Sequence, residues 1–146
     1  MKISTKGRYG ARAALELSLR YGSGPVMVRE ISESQGISER YLENILNTLR
    51  TSGLVKSTRG ARGGYELSKA PSGITLFDII RSLEGPLDVV SCTGGEECGR
   101  AAECATIYVW KEIKEKIEKV LSSITLEDLA ERERKLINHG LTEYSI

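Results

Sequence analysis

Residues 28–67 constrain the fold more than any other stretch. Val28, Ile31 and Ser32 share one side of a segment that stops at Gly36, the pattern of a short helix. Ser38 then offers an N-cap hydroxyl for a second helix, running from Glu39 to about Ser52 and stopped by Gly53. Tyr41, Leu42, Ile45, Leu46 and Leu49 recur at i, i+3, i+4 and i+7, so one face is made for a core. The opposite face presents Arg40, Glu43, Asn44, Asn47 and Arg50. Two helices joined by a short turn containing Gly36 match a helix-turn-helix, with the second as recognition helix. Two strand-like runs follow, 54–58 and 64–68, flanking Arg59-Gly60-Ala61-Arg62-Gly63. A glycine-rich hairpin alone is only a turn. Its two arginines, and its place directly behind a helix-turn-helix, make it a wing.

Charge supports a polyanion partner for this half alone. Residues 1–70 hold twelve Lys and Arg against six Asp and Glu, whereas residues 71–146 hold nine against fourteen. The formal net charge of +1 conceals that split. A chain of 146 residues with 40% hydrophobic and 28% charged residues is an ordinary globular composition. No apolar run approaches the ~18 residues of a membrane span. Met1-Lys-Ile-Ser-Thr-Lys6 lacks a following apolar region, so no signal peptide and a cytoplasmic location are expected.

The remaining periodicities are helical. Residues 7–21 are rich in Ala and Leu at helical spacing and end at Gly22-Ser-Gly-Pro25. Thr75-Leu-Phe-Asp78 has capping-box spacing and opens a helix to about Leu83 with Leu76, Ile79, Ile80 and Leu83 inward. From about Cys104 to Ile124, Trp110, Ile113, Ile117, Val120 and Ile124 step by 3, 4, 3 and 4, a heptad seam suited to a second copy of the chain. The alternative is a helix packed on its own domain. Lys111, Glu112, Lys114, Glu115, Lys116, Glu118 and Lys119 solvate the rest of it. A second capping box, Thr125-Leu-Glu-Asp128, begins a short final helix that could fold back across the seam. The expected fold is mainly α with a small β wing: a winged helix-turn-helix domain over 1–84, a cysteine loop over 85–104, and a dimerisation helix with a C-terminal helix over 105–146.

All three cysteines lie in one loop, Cys92, Cys98 and Cys104, each separated from the next by five residues. Three thiols cannot all pair within one chain, so metal or cluster ligation is the first reading and redox-active thiols the second. The Cys-x(2–4)-Cys pairs of structural zinc and the Cys-x-x-Cys of redox motifs are absent. Evenly spaced cysteines among Gly94, Gly95 and Gly99 suit a larger object, and an iron–sulfur cluster takes thiolate. A helix starting at Cys104 would favour its thiolate form through the helix dipole. The fourth ligand is not evident: His139 is far along the chain, leaving Asp, Glu or a partner-subunit group.

In Lys2-Ile-Ser-Thr-Lys-Gly-Arg-Tyr9, Tyr41-Leu-Glu-Asn-Ile-Leu46, Gly53-Leu-Val-Lys-Ser57, Arg59-Gly60…Gly63-Gly64-Tyr65, Ile124-Thr-Leu-Glu-Asp-Leu129 and the Cys-x5-Cys-x5-Cys loop, the chain resembles the IscR family of winged-helix regulators. That family includes nitric-oxide-sensing NsrR-type members and CymR-type repressors of cysteine metabolism, the latter without the cysteine loop. The resemblance spans nearly the whole chain. It implies a homodimer on pseudo-palindromic double-stranded promoter DNA, no enzymatic activity, and repression of cluster-biogenesis genes. It implies an iron–sulfur cluster on Cys92, Cys98 and Cys104, 2Fe–2S by whole-chain similarity, with 4Fe–4S as the alternative. Two positions depart from the family. Ile107 stands where IscR has a ligating histidine, and Arg8 where NsrR-type proteins have an aspartate.

On this resemblance Ser38, Arg40, Tyr41, Glu43 and Asn44 read bases, with Glu43 accepting from cytosine N4 or, more plainly, pairing with Asn47, Arg40 or Arg50. Arg59 enters the minor groove, and Arg62, Lys6, Tyr9 and Arg50 meet phosphate. Competing readings are a nitric-oxide or redox-sensing repressor, a plain thiol or zinc sensor, and an electron-transfer protein. No nucleotide-binding glycine motif or catalytic base lies near the cysteines to support the last.

Overall fold

The computed structural model describes residues 2–95 and 98–144. Among these residues are six α-helices and a two-stranded antiparallel sheet. Helix α1, Thr5–Leu19, begins two residues earlier than its sequence pattern suggests. Ser4 is its N-cap, with the hydroxyl oxygen accepting from the Gly7 N–H. Helices α2 (Val28–Gln35) and α3 (Glu39–Thr51) form the helix-turn-helix, joined through Gly36 at φ +66°, which glycine adopts without steric cost. Ser38 caps α3 by accepting from the Tyr41 N–H. Leu42, Ile45, Leu46 and Leu49 are all fully buried, as the α3 periodicity requires. They meet Ala13, Ala14 and Leu17 of α1 and Ile79 and Leu83 of α4 (Leu76–Glu84) in the principal core.

Strands β1 (Val55–Thr58) and β2 (Gly64–Leu67) pair in register from Val55 with Leu67 to Thr58 with Gly64. The hairpin does not hang free. Val26 and Tyr65 exchange two backbone hydrogen bonds of 2.8 Å, adding a one-residue bridge from the α1–α2 loop that sequence reasoning did not anticipate.

Both capping boxes form, Thr75 with Asp78 and Thr125 with Asp128. They lie side by side: Leu76 N–H donates to the Ile124 carbonyl (2.8 Å) and Leu126 N–H to the Ile74 carbonyl (2.9 Å). The Thr125 N–H and hydroxyl hold the Asp128 carboxyl below its ordinary range.

The C-terminal half departs from expectation in four respects. Helix α5 spans Ile107–Ser122, so Cys104 and Ile124 both lie outside it, the latter held in the bridge to α4. Helix α6, Leu126–Tyr144, is long rather than short, with 19 residues. It packs on α1 and the turn at 71–73, with Leu126 and Ala130 buried. The α5 seam is also rotated. Ile117 and Leu121 face the chain's own small cluster with Ile80 and Leu87, while Val109, Ile113 and Val120 are exposed. Among the described residues, no helix is long and apolar enough to cross a membrane.

Candidate DNA interface and cysteine loop

Because α3 commits its apolar residues to the core, Arg40, Glu43, Asn44, Asn47 and Arg50 are all exposed together on the other side. Glu43 makes no ion pair with any described residue, and neither do Arg40, Arg59, Arg62 and Lys6. The pairing of Glu43 with Arg40 or Arg50 therefore does not form. Arg50 instead donates to Asn47 Oδ1 at 3.0 Å. Asn47, Arg50, Ser57, Thr58, Arg59 and Tyr65 line a polar cleft of about 360 Å³ between the end of α3 and the wing. Arg62 is exposed at the hairpin tip. Ser38 uses its oxygen as an acceptor in the cap, leaving its hydroxyl proton to donate elsewhere.

The α1 contribution adjoins this face through aromatic packing. Tyr9 and Tyr41 meet edge to face with ring centroids 5.9 Å apart, and both are half-buried. Lys6 lies one helical turn before Tyr9, on the same side of α1. Arg12, which belongs to no sequence motif, stacks on the Tyr9 ring at 5.4 Å. It also donates to Gln35 Oε1 (3.0 Å) and to the Gln35 carbonyl at the end of α2. Glu16, buried, accepts from Gln35 Nε2 (3.1 Å) and pairs with Arg20 (3.0 Å). This network fixes the reading head to α1. No local motif marks it, because Arg12 and Gln35 are 23 positions apart.

The N-terminus of α1 is tied to the start of the cysteine loop. Glu84, the last residue of α4, accepts from the Ser4 N–H (2.8 Å) and from the Ser4 hydroxyl. Gly7 and Gly10 make room for this: a Cβ at Gly7 would lie 2.3 Å from Glu84 Oε1, and one at Gly10 would lie 2.0 Å from Leu83 Cδ1. A carboxylate at a helix N-terminus is favoured by the helix dipole.

Within the loop, Cys92 is half-buried in a 3-10 turn, Ser91–Thr93. Cys98 is exposed, and Cys104 follows a second turn, Ala101–Glu103. The Cys104 Sγ lies 3.2 Å from Thr106 Oγ1, and that hydroxyl, with the Ile107 N–H, lowers the thiol's pKa. The thiolate is thus favoured by a neighbouring side chain first and by the helix start second, rather than by a place within the helix. No group of three His, Cys, Asp or Glu side chains able to hold a metal ion is assembled among the described residues. Glu96 and Glu97 lie outside them. The donor set is chemically suited to iron, with three thiols in one short segment, but it is not gathered in this conformation. Ile107 is buried, so the position of the IscR histidine belongs to packing here. Arg8 bonds to Thr5 Oγ1 (3.3 Å), and His139 lies on α6.

A helix-turn-helix with a wing bridged to its scaffold, an exposed polar recognition face and a basic hairpin define a winged-helix transcription regulator. The chain belongs to the Rrf2 family, described as iron-dependent transcriptional regulators, which it matches over residues 3–132. It is 46% identical over 130 residues to the regulator CymR of Bacillus subtilis, covering 89% of this chain and 90% of the relative. It is 39% identical over 137 residues to the regulator IscR of Erwinia tasmaniensis, covering 94% and 83%. The structure of B. subtilis CymR, described as the global cysteine regulator, superposes with a TM-score of 0.79, at 45% identity and covering 90% and 98% of the two chains. T. potens IscR superposes with a TM-score of 0.74, at 44% identity and covering 91% and 88%.

Proposed function

We propose that the chain is a homodimeric regulator, mainly a repressor of iron–sulfur cluster biogenesis genes, and that it reads cluster supply through a cluster held by Cys92, Cys98 and Cys104. The observation that carries this reading is position. The three thiols occupy one loop that starts at Glu84, bonded to the N-terminus of α1, and ends at α5. A bound cluster, 2Fe–2S by similarity to IscR, would supply thiolate bonds joining parts of the loop that lie apart in this conformation. The chain's own residues do the rest. Glu84 links the loop to α1, where Lys6 and Tyr9 meet phosphate. Beside the exposed Ile113 and Val120 of α5, an apolar groove of about 320 Å³ that Ile117 and Leu121 also line takes the second copy. Segments 1–84, 85–104 and 105–146 serve as reader, sensor and dimer element.

On DNA, Ser38, Arg40, Tyr41, Glu43 and Asn44 read bases, Arg59 enters the minor groove, and Arg50 and Arg62 hold phosphates. Glu43 is unpaired in the free protein, so its charge is available to select sites. Glu43→Ala relaxes discrimination at one base pair by roughly 1–3 kcal/mol, read as a flattened preference in binding to a panel of single-base operator variants. An unchanged preference would remove Glu43 from base readout.

The deciding experiment is anaerobic purification followed by iron and sulfide analysis, absorption spectroscopy and promoter binding. The wild type carries iron and a visible chromophore. The variant with all three cysteines changed to alanine loses both, along with part of its promoter repertoire. A second reading, a thiol-sensing repressor of cysteine metabolism, is favoured by the similarity to CymR and by the acidified Cys104. Colourless, iron-poor wild type whose DNA binding changes on reversible thiol oxidation would decide for it.

A further inference from the structure

The turn that carries Cys92 is fastened to α5 by one side chain. Lys114 Nζ donates to Asp88 Oδ1 at 2.6 Å and to the Thr93 carbonyl at 3.3 Å. The Lys114 and Asp88 side chains are only 26% and 21% exposed, so the pair is partly shielded from water. Lys114 belongs by its helical position to the solvated charges of α5, yet the fold turns it inward. Asp88 is also set against the turn it helps to hold: a Cβ at Gly94 would lie 2.6 Å from Asp88 Oδ2. The backbone reaches the carboxylate because residue 94 has no side chain. Within the turn, Thr93 Oγ1 donates to the Val90 carbonyl (2.8 Å) and Gly94 N–H to the Ser91 carbonyl (2.9 Å). Among the described residues, the other two cysteines have no such mooring. The described hydrogen bonds of residues 98–107 join only near neighbours in sequence, such as Ala101 N–H to the Cys98 carbonyl and Ile107 N–H to the Cys104 carbonyl.

We propose that Lys114 is the positioning residue of the cysteine loop. It fixes Cys92 on α5 as a preplaced anchor for the thiol set that Cys98 and Cys104 complete. The Cys92 end of the loop is then set before any ligand arrives, with α5 as its frame. The latch itself is a property of the metal-free chain. Its use as an anchor rests on the cluster reading above.

The test uses the full chain as wild type, Lys114→Met, Lys114→Arg and Asp88→Asn. Iodoacetamide is applied to the reduced, metal-free protein, and fragment-ion mass spectrometry follows each cysteine separately. Cys92 reacts more slowly than Cys98 in the wild type. Lys114→Met and Asp88→Asn speed the Cys92 reaction by about fivefold, the factor expected for a pair near the upper end of the surface range, and leave Cys98 unchanged. Lys114→Arg, which keeps the charge and the donors, restores most of the protection. Equal Cys92 rates in wild type and Lys114→Met would overturn the latch, and so would a parallel rise at all three cysteines. In a second arm, the proteins are reconstituted anaerobically with iron and sulfide and challenged with EDTA. Lys114→Met loses its visible absorption several times faster than wild type. Equal decay, despite faster alkylation of Cys92, would overturn the anchor role. Wild type that takes up no iron would instead refute the cluster reading, with the alkylation arm still deciding the latch.

Discussion

Leu46→Ala lowers the free energy of unfolding by roughly 2–5 kcal/mol, the range for truncating a fully buried leucine. Leu46 is completely buried on the inner face of α3, within the cluster that joins α1, the helix-turn-helix, β1, β2 and α4. Its loss removes methyl groups from the place where the reading head meets its scaffold, and a packed interior closes only partly over the gap. Against a total stability of about 5–15 kcal/mol, this is a large fraction. Urea denaturation followed by circular dichroism reads it as a fall of about 1–2 M in the midpoint. The comparison is Asn44→Ala, two positions earlier and exposed on the outer face, which stays within about 0.5 kcal/mol of wild type. The effects on DNA are reversed. Asn44→Ala weakens operator binding, whereas folded Leu46→Ala protein binds normally. Equal stabilities for the two variants would mean that α3 does not present these two faces.

Gly64→Ala has the second-largest effect, because a backbone group blocks the added methyl. A Cβ at residue 64 would lie 2.3 Å from the Val26 carbonyl oxygen and 2.5 Å from its carbon. Neither atom can rotate away as a side chain would, so the Val26–Tyr65 bridge must open and both of its 2.8 Å hydrogen bonds are lost. At about 1 kcal/mol each, with the displacement of the strand added, the loss is roughly 2–4 kcal/mol. The wing, with Arg59 and Arg62, then loses its tie to the α1–α2 loop, and operator binding weakens. Hydrogen exchange measures this directly: the Val26 and Tyr65 amides lose protection, while the α3 amides keep theirs. Gly60→Ala is the control. Gly60 has φ +110° but nothing within 4 Å of an added Cβ, so backbone strain is its only cost and the bridge survives. Intact Val26 and Tyr65 protection in Gly64→Ala would show that the bridge does not hold the wing.

The α5 seam shows where periodicity stops being decisive. Trp110, Ile113, Ile117 and Val120 do lie on one broad apolar stripe, yet the stripe is divided. Ile117 closes the small core with Ile80 and Leu87, while Ile113 and Val120 remain exposed. A heptad pattern identifies an apolar face without saying which neighbour covers each part of it, since burial against any apolar surface satisfies it. Glu84 and Lys114 follow the same logic. Each looks like an ordinary surface charge in sequence, and each finds its partner far away along the chain, 80 positions off for Ser4 and 26 for Asp88.

Short-range chemistry was decided by the sequence alone. The caps at Ser38, Thr75 and Thr125, the stop at Gly36, the two faces of α3 and the hairpin around Gly60 all depend on residues within a few positions of one another, and all of them form. Tertiary structure decided what depends on long-range juxtaposition: the bridge of the wing to Val26, the reach of α6 back to α1, the rotation of α5, and the bonds that moor the two ends of the Cys92 segment. The physical reason is that a cap or a helical face is set by local backbone geometry. The partner of a buried charge or of half an apolar stripe is set by which distant surfaces the folded chain brings within a few ångströms.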